Sequence, residues 1–337
     1  MAPKVITVIG SLNYDLVSLV DRVPQPGETM TGGGFYTNAG GKGANQAVAC
    51  ARLSRPNPRT AAAASETPQT EPEVIVRMVG AVGADEFGPK IVAGLKGDGI
   101  DVSGIELSQG VNTGVAVIMV EQSTGENRII LDPGANSRVV PPKIFEDPKP
   151  DLIVMQLEIP LDTVLSTIRS AKEAGIAVLL NPAPAVVLPD EAYKGITHLI
   201  LNETEAAILT GRKLEEVEAK GFSWIEVISE FFSKGVKNVV VTLGSKGAYY
   251  GYTWDDEHGQ SIAEGGSIPA AKVESVVDTT AAGDTFIGSY AVQIVKKESF
   301  NTEEMDAIMA TACKASARTV EKKGAQNSIP WADEIGS

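Results

Sequence analysis

The sequence predicts an α/β protein: a doubly wound, mainly parallel central sheet flanked by helices, with a small second β-sheet over one face. Three observations carry this. After Asp151, short apolar runs alternate with segments of helical periodicity, the rhythm of repeated strand–helix–strand units. The first apolar run, Val5-Ile6-Thr7-Val8-Ile9, is nearly continuous rather than alternating, as in a parallel strand covered on both faces. Two regions, 12–37 and 111–131, break the rhythm and read as strand pairs belonging to a separate sheet.

Taken in order, Val5–Gly10 is the first strand. Leu12–Val20 and Met30–Thr37 are strand-like, joined through Pro24-Gln25-Pro26-Gly27, with Gly32-Gly33-Gly34 softening the second. Gly40-Gly41-Lys42-Gly43-Ala44-Asn45-Gln46 opens a helix of small residues that ends near Leu53. From Ser54 to Glu73 the composition shifts to Pro, Thr, Ser, Glu and a run of alanines without apolar period, predicting a mobile surface insertion at 54–73. Val74–Val82 returns to strand and Phe87–Leu95 to helix, while Val111–Val120 and Arg128–Leu131 flank the hairpin turn Ser123-Thr124-Gly125-Glu126-Asn127. Strands follow at Leu152–Gln156, Ile176–Leu180, His198–Leu201 and Val239–Leu243, with helices over Asp162–Ala174 and from Glu203. Last, an apolar run ends at Val276-Val277-Asp278, small residues follow, and helical periodicity resumes at Phe286, Ile287, Tyr290 and Ala291. That segment reads as strand, tight loop and helix, and the whole chain, 1–337, as one domain.

Composition bounds the function. With 43% hydrophobic residues in a chain of 337, a core forms without staples. The formal charge of −14 and pI near 4.7 argue against a nucleic-acid partner, so any phosphate ligand must be held by local donors or a metal. Only Cys50 and Cys313 are present, which excludes a disulfide framework and suits a reducing compartment. Met1-Ala2-Pro3-Lys4 lacks a signal-peptide layout, and no apolar run approaches membrane-spanning length, so no membrane partner and a cytoplasmic location are expected. His198 and His258, without a Cys/His cluster, offer no structural zinc site and read as structural or exposed residues.

The chemistry concentrates at Asp278-Thr279-Thr280-Ala281-Ala282-Gly283-Asp284-Thr285-Phe286. Small residues let backbone approach a ligand, and the free N–H groups and partial positive charge of a first helical turn suit an anion. Asp284 stands beside that anion. A carboxylate is repelled by a phosphate, so its presence there suits a proton acceptor for an attacking hydroxyl. On this segment alone a second reading stays open, in which Asp284 or Thr280 caps the helix. Familiar phosphate loops are excluded. Gly41-Lys42 has Tyr36 and Gly43 where a P-loop needs Gly and Ser/Thr, and Gly10-Ser11-Leu12-Asn13 lacks the further glycines of a dinucleotide fingerprint. No protein-kinase H-R-D or D-F-G set is present.

Several other constellations each admit two readings. Asn13 and Asp15 lie just past the first strand, as paired partners for hydroxyls or as turn formers. Gly40, Gly41 and Gly43 permit close backbone approach while Lys42 and Asn45 add donors, or they mark a plain helix start with a surface Lys. Glu158 follows a buried strand, to hold a hydroxyl or to sit near a helix N-terminus. Asn202 and Glu205, three apart, share a helix face, as in a capping box. Thr242-Leu243-Gly244-Ser245-Lys246-Gly247 follows a buried strand and by itself reads as a βα or hairpin turn.

Four segments in order, Gly10-Ser11-Leu12-Asn13-Tyr14-Asp15, Gly40 to Gln46, Asn202-Glu203-Thr204-Glu205 and Asp278 to Phe286, are similar to those of the ribokinase family of PfkB-type carbohydrate kinases. Met155-Gln156-Leu157-Glu158, Asn181-Pro182-Ala183-Pro184 and Lys323-Gly324-Ala325-Gln326 add to the resemblance, which runs from about residue 4 to 332 around the insertion. It implies a ribokinase-like fold and direct in-line phosphoryl transfer from ATP to the O5 hydroxyl of D-ribose. Asp284 would be the base, and the N–H groups of Ala281, Ala282 and Gly283 the anion hole. Asn13, Asp15, Gly41, Lys42, Asn45 and Glu158 would hold the sugar, and Asn202, Thr242, Gly244, Ser245 and Gly247 the nucleotide. The resemblance further implies Mg2+ near Glu205, through water, and K+ bound by Asp278, Thr280, Thr319, Lys322, Gly324 and Ser328. The strand pairs would be a sugar lid through which two chains form a homodimer. Adenosine, fructose and 2-keto-3-deoxygluconate remain alternative acceptors, and a catalytically silent sugar-binding regulator on the same fold the alternative class.

Overall fold

In the computed structural model, which describes residues 2–58, 60, 72–124, 126–141, 148–255 and 261–336, the first apolar run becomes β1 (Lys4–Ile9), an interior strand. The chain then leaves the main sheet for β2 (Asn13–Val20) and β3 (Gly34–Gly40) and returns through α1 (Lys42–Leu53) to β4 (Val74–Gly83). It continues through α2 (Gly88–Gly97), β5 (Asp101–Ser108), β6 (Gly114–Glu121) and β7 (Asn127–Asp132). The alternating second half supplies β8 (Leu152–Met155), α3 (Leu161–Glu173), β9 (Ala177–Leu180), α4 (Asp190–Tyr193), β10 (His198–Asn202) and α5 (Glu203–Thr210). Then come α6 (Leu214–Val217), α7 (Trp224–Ser233), β11 (Asn238–Thr242), β12 (Ala248–Asp255), β13 (Ser261–Ile268), α8 (Ala282–Val295) and α9 (Thr302–Val320). Most of the predicted 54–73 insertion and His258 lie outside the described residues.

The nine-stranded sheet runs β13-β12-β11-β10-β9-β8-β1-β4-β5, parallel from β11 to β5, with antiparallel β12 and β13 at one edge. Strand order reverses direction between β1 and β8, the switch point where such sheets open a crevice at their carboxyl ends. The two faces bury separate apolar layers. One is built with α1, α2, α8 and α9 against residues such as Ile6 and Val8, the other with α3, α5 and α7 against Ile9 and Ile153. His198 is a core residue, its Nδ1 2.9 Å from the Tyr290 hydroxyl, and burial pushes its imidazole down to about 3.

The two predicted strand pairs form one four-stranded sheet, β3-β2-β6-β7, in which β2 and β6 run parallel. Period-two alternation sorts its residues. Asn13, Asp15, Tyr36 and Asn38 share the face toward the main sheet's crevice, and Phe35, Val117 and Ile130 share the outer face, where they are exposed.

One expectation fails. Val276 and Val277 are not a strand; the main sheet ends at Ile268 and residues 269–281 cross its carboxyl edge as a loop. The N–H groups of Val277 and Asp278 donate to the Val320 carbonyl at the end of α9, and both valines are more than half exposed. A short apolar run has the same signature whether it builds a strand or rims an apolar cavity. β5, β12 and β13 have no counterpart in the sequence reading, because their one-sided or edge positions dilute the apolar pattern.

The packing that positions the site is the contact between α1 and α8. A Cβ built on Gly288 of α8 would stand 2.8 Å from the Ala49 carbonyl carbon and the Cys50 nitrogen of α1, so only glycine lets the helices approach this closely. Gly288→Val is therefore expected to lower folding stability by about 1–3 kcal/mol, read as a shift in the urea midpoint at constant m-value. An unshifted midpoint would mean that this contact does not set the helix spacing.

Candidate active site

Consecutive parallel strands deliver one polar residue set each to the same edge. Ser11 follows β1, Gln156 and Glu158 follow β8, Asn181 follows β9, Glu205 follows β10, and Thr242 ends β11. From above, the first residues of α1 and α8 complete the ring. The start of α1 is shaped by Gly41, which serves as its N-cap at φ 88°, a left-handed conformation that favours glycine. Glu158 ties the ring together: Ser11 Oγ donates to its Oε2 at 2.5 Å and the Lys42 N–H at 3.0 Å.

Asp284, 7% exposed, is held from α1. Asn45 Nδ2 donates to its Oδ2 at 3.0 Å and Gln46 Nε2 to its Oδ1 at 2.9 Å. Gln46 is itself fixed: its Oε1 accepts from Gln156 Nε2 at 2.6 Å. Amides thus orient the carboxylate without neutralising it. Capping is excluded as the role of Asp284, because the N-cap of α8 is Ala281 and no side chain caps it. Ala281 has φ 62°, the one non-glycine residue in the left-handed region among the described residues. Such strain, typically about 1–3 kcal/mol, gathers at ligand-gripping backbone.

The head of α8 stands where two cavities meet. One, of about 220 Å³, is polar and lined by Lys42, Asn202, Glu205 and Asp284; the other, of about 480 Å³, is largely apolar and includes Val273, Val276, Phe286 and Cys313. Thr242, Thr279 and Gly283 line both. A Cβ built on Gly283 meets nothing within 4 Å, so the backbone there faces open space. Gly244, Ser245 and Gly247 line the apolar cavity at the turn between β11 and β12.

Four carboxylates crowd the polar side: Asp15, Glu158, Glu205 and Asp284. Asp15 is 8% exposed and receives no hydrogen bond from a described residue; burial, then Glu158 and Asp284, raises its carboxyl from the ordinary 3.8 to about 7. Asp15 and Asn13 lie within β2, not in a turn. Asn13 Oδ1 accepts from Asn136 Nδ2 at 2.7 Å. Although burial opposes it, the charges of Asp284, Glu158 and Glu205 hold the Lys42 ammonium above its ordinary value. Burial raises the Glu205 carboxyl, even though that residue forms the expected capping box with Asn202. Glu205 therefore caps α5, the capping-box reading, and lines the polar cavity at once.

The segment before α8 is clasped by the chain that follows α9. Asp278 accepts from the Thr280 N–H at 2.9 Å and from the Gly324 N–H at 2.9 Å. Thr319 is buried and donates to Thr285 Oγ1 at 2.9 Å, Ser328 donates to the Ala325 carbonyl at 2.7 Å, and the Lys322 ammonium turns to Glu334 at 3.1 Å. Sequence reasoning missed Ser11, Gln46, Gln156 and Asn136 as site-building residues. Gln46 and Ser11 lay inside quoted motifs; Asn136 carried no signal beyond its Pro-Gly-Ala-Asn context.

The Asp15 shift makes a stability prediction. Its folded value is raised, so ionising it opposes folding; the penalty is absent below about pH 4 and complete above about pH 7. Asp15→Asn is expected to stabilise the sugar-free protein at pH 8 by up to about 4 kcal/mol and to change it little at pH 4. Denaturation curves at the two pH values check this, and equal stability of parent and variant at pH 8 would refute it.

Comparison with known proteins gives the same outline. Residues 4–332 match the pfkB family carbohydrate kinase pattern. A ribokinase of Schizosaccharomyces pombe is 41% identical over 342 residues, covering 98% of this chain and 96% of its own. One of Haemophilus influenzae is 37% identical over 336 residues, covering 98% and 97%. The structure of Arabidopsis thaliana ribokinase complexed with ribose and ATP aligns with a TM-score of 0.78 at 30% identity, over 99% of this chain and 98% of that one. Likeness of this extent, end to end and in both sequence and fold, makes the chain a member of the pfkB family of carbohydrate kinases.

Proposed function

We propose that the protein transfers the γ-phosphoryl group of ATP to the O5 hydroxyl of D-ribose, giving D-ribose 5-phosphate and ADP. The observation that carries this is Asp284: a buried carboxylate, oriented by two amides, at the head of a helix where a polar and an apolar cavity meet. The polar side suits a sugar. Asn13, Asp15, Lys42, Asn45 and Glu158 offer donors and acceptors, Gly41 offers close backbone, and the undonated Asp15 carboxylate fits hydroxyl donors. The apolar side suits a nucleotide base, with Thr242, Gly244, Ser245 and Gly247 at its mouth and Asn202 toward the phosphates.

In this reading Asp284 accepts the O5 proton as the oxygen attacks the γ-phosphorus in line and the bond to the β-phosphate oxygen breaks. The N–H groups of Ala281, Ala282 and Gly283 meet the charge on the moving phosphoryl group. Of these, Ala282 gives only a long bond to the Thr279 carbonyl, 3.3 Å, and can turn to a stronger acceptor. Lys42 adds a positive charge on the sugar side. Preorganised donors of this kind supply the larger part of such rate enhancements, and the base about two to four powers of ten.

Two cations fit the residues present. Glu205 and Asn202 give hard oxygen donors beside the polar cavity, suited to Mg2+ held mostly through water, which would neutralise the ATP phosphates. Asp278, the hydroxyl of Ser328, and backbone carbonyls at Thr280, Thr319, Lys322 and Gly324 are the oxygen donors that would hold K+, and the Gly324 N–H bond to Asp278 ties the two segments that carry them. The Asp278 clasp leads straight to the strained Ala281, so a cation there would steady the anion hole. We further propose that two chains pair through the small sheets, since the outer face exposes Phe35, Val117 and Ile130.

ADP release on adding ribose, adenosine or fructose tests the acceptor, and ribose is expected to be preferred. Asp284→Ala is expected to lower turnover by at least about two powers of ten while ATP and ribose still bind. A variant keeping more than about a tenth of parental turnover would remove the base role. Replacing potassium with tetramethylammonium is expected to slow the reaction; equal rates would remove the cation proposal.

A further inference from the structure

The small sheet and the loop after α9 touch at places that the chemistry above does not use. Asn327 Nδ2 donates to Asn38 Oδ1 of β3 at 3.2 Å, and the Lys323 ammonium stands 4.2 Å from the centroid of the Tyr36 ring, also on β3. Gly324 lies against the same strand: a Cβ built on it would be 3.2 Å from Asn38 Nδ2. Tyr36 and Asn38 face the crevice, and Asn38 is the register partner of Asp15 on β2. In the other direction, Gly324 holds Asp278, which holds the N–H of Thr280, the residue before Ala281. A continuous path of short contacts therefore runs from the sugar-side carboxylate to the strained residue at the head of α8. Burial, then the charges of Asp278 and Asp15, raises the Tyr36 hydroxyl, as expected for a ring set between the two carboxylates.

We propose that Asn38 with Asn327, and Tyr36 with Lys323, form a strut that couples the position of the small sheet to the geometry of the anion hole, making these four positioning residues for phosphoryl transfer. The inference rests on the kinase reading given above. Each rung is exposed and contributes little to stability. Its consequence is positional: sugar that draws Asp15 and β2 inward also seats β3 on the loop that clasps Asp278, so the anion hole is held in shape when an acceptor is present.

The test uses the full chain carrying Asn327→Ala and Lys323→Ala together, with Lys323→Arg as the conservative variant. The double variant is expected to lose about five- to tenfold in kcat with ribose, the lower end of ordinary coupling between sites. Its KM for ATP and its ribose-independent ATP hydrolysis are expected to stay at the parental values, and its Tm within about 1 °C. Lys323→Arg keeps a cation over the ring and is expected to retain kcat within about twofold. The strut is overturned if the double variant keeps kcat within about twofold, if only the KM for ribose rises, or if kcat falls together with Tm. A parental protein that releases no ADP on adding ribose would overturn the kinase reading and the strut with it; an active parent with an unchanged double variant overturns the strut alone.

Discussion

The approach of α1 to α8 over the carboxyl edge of the sheet is the constraint on which the site depends. Gly288 lets the two helices come near enough that Asn45 and Gln46, on α1, reach the carboxylate of Asp284, on α8. Residues almost 240 positions apart in the chain are joined this way, and the amides fix the carboxylate without bringing a counter-charge. Gln156, at the end of β8, fixes Gln46 in turn, so the orientation of one acid is traced back to the central strands. A side chain held by packed helices and a sheet is more precisely placed than one on a loop, which suits the base role proposed for Asp284.

Electrostatics explains why this arrangement suits a transfer reaction. A chain of net charge −14 gathers Asp15, Glu158, Asp284 and Glu205 around one Lys42. Without ligands that grouping is unfavourable, as the rise of Asp15 to about 7 expresses. Hydroxyl donors from a polyhydroxy ligand would relieve it. Strain at Ala281 belongs to the same pattern: backbone held at φ 62° begins α8 next to the open space at Gly283. Folding energy from two apolar layers maintains a site that is locally unstable by itself.

Much was legible beforehand. Continuous apolar runs became β1, β8, β9, β10 and β11, because strands covered on both faces carry their burial in every residue. The hairpins at 12–37 and 111–131 were legible by alternation, though not that β2 and β6 would lie side by side, since pairing distant strands leaves no local trace. The antiparallel strands β12 and β13 went unread, and Val276-Val277 was misread, for complementary reasons: a strand covered on one face carries half the apolar signal of a core strand, and a cavity rim carries the same signal as one. At the site, motif residues such as Asp284, Asn45 and Glu205 were visible because their types are unusual beside glycine and alanine. Gln156, Gln46 and Asn136 were not, since an amide that serves only to orient another side chain looks like any polar residue.

What the sequence determined by itself is the succession of core strands with the helices between them, and Asp284 as the candidate acid, because burial periodicity and a carboxylate in a small-residue turn are local properties. What only the tertiary structure decided is which groups meet that acid, that Glu205 caps a helix and lines a cavity together, that Asp15 lies buried without a donor, and that β3 rests on the loop clasping Asp278. Those facts depend on helix spacing and sheet register, and both are set by contacts between residues far apart in the chain.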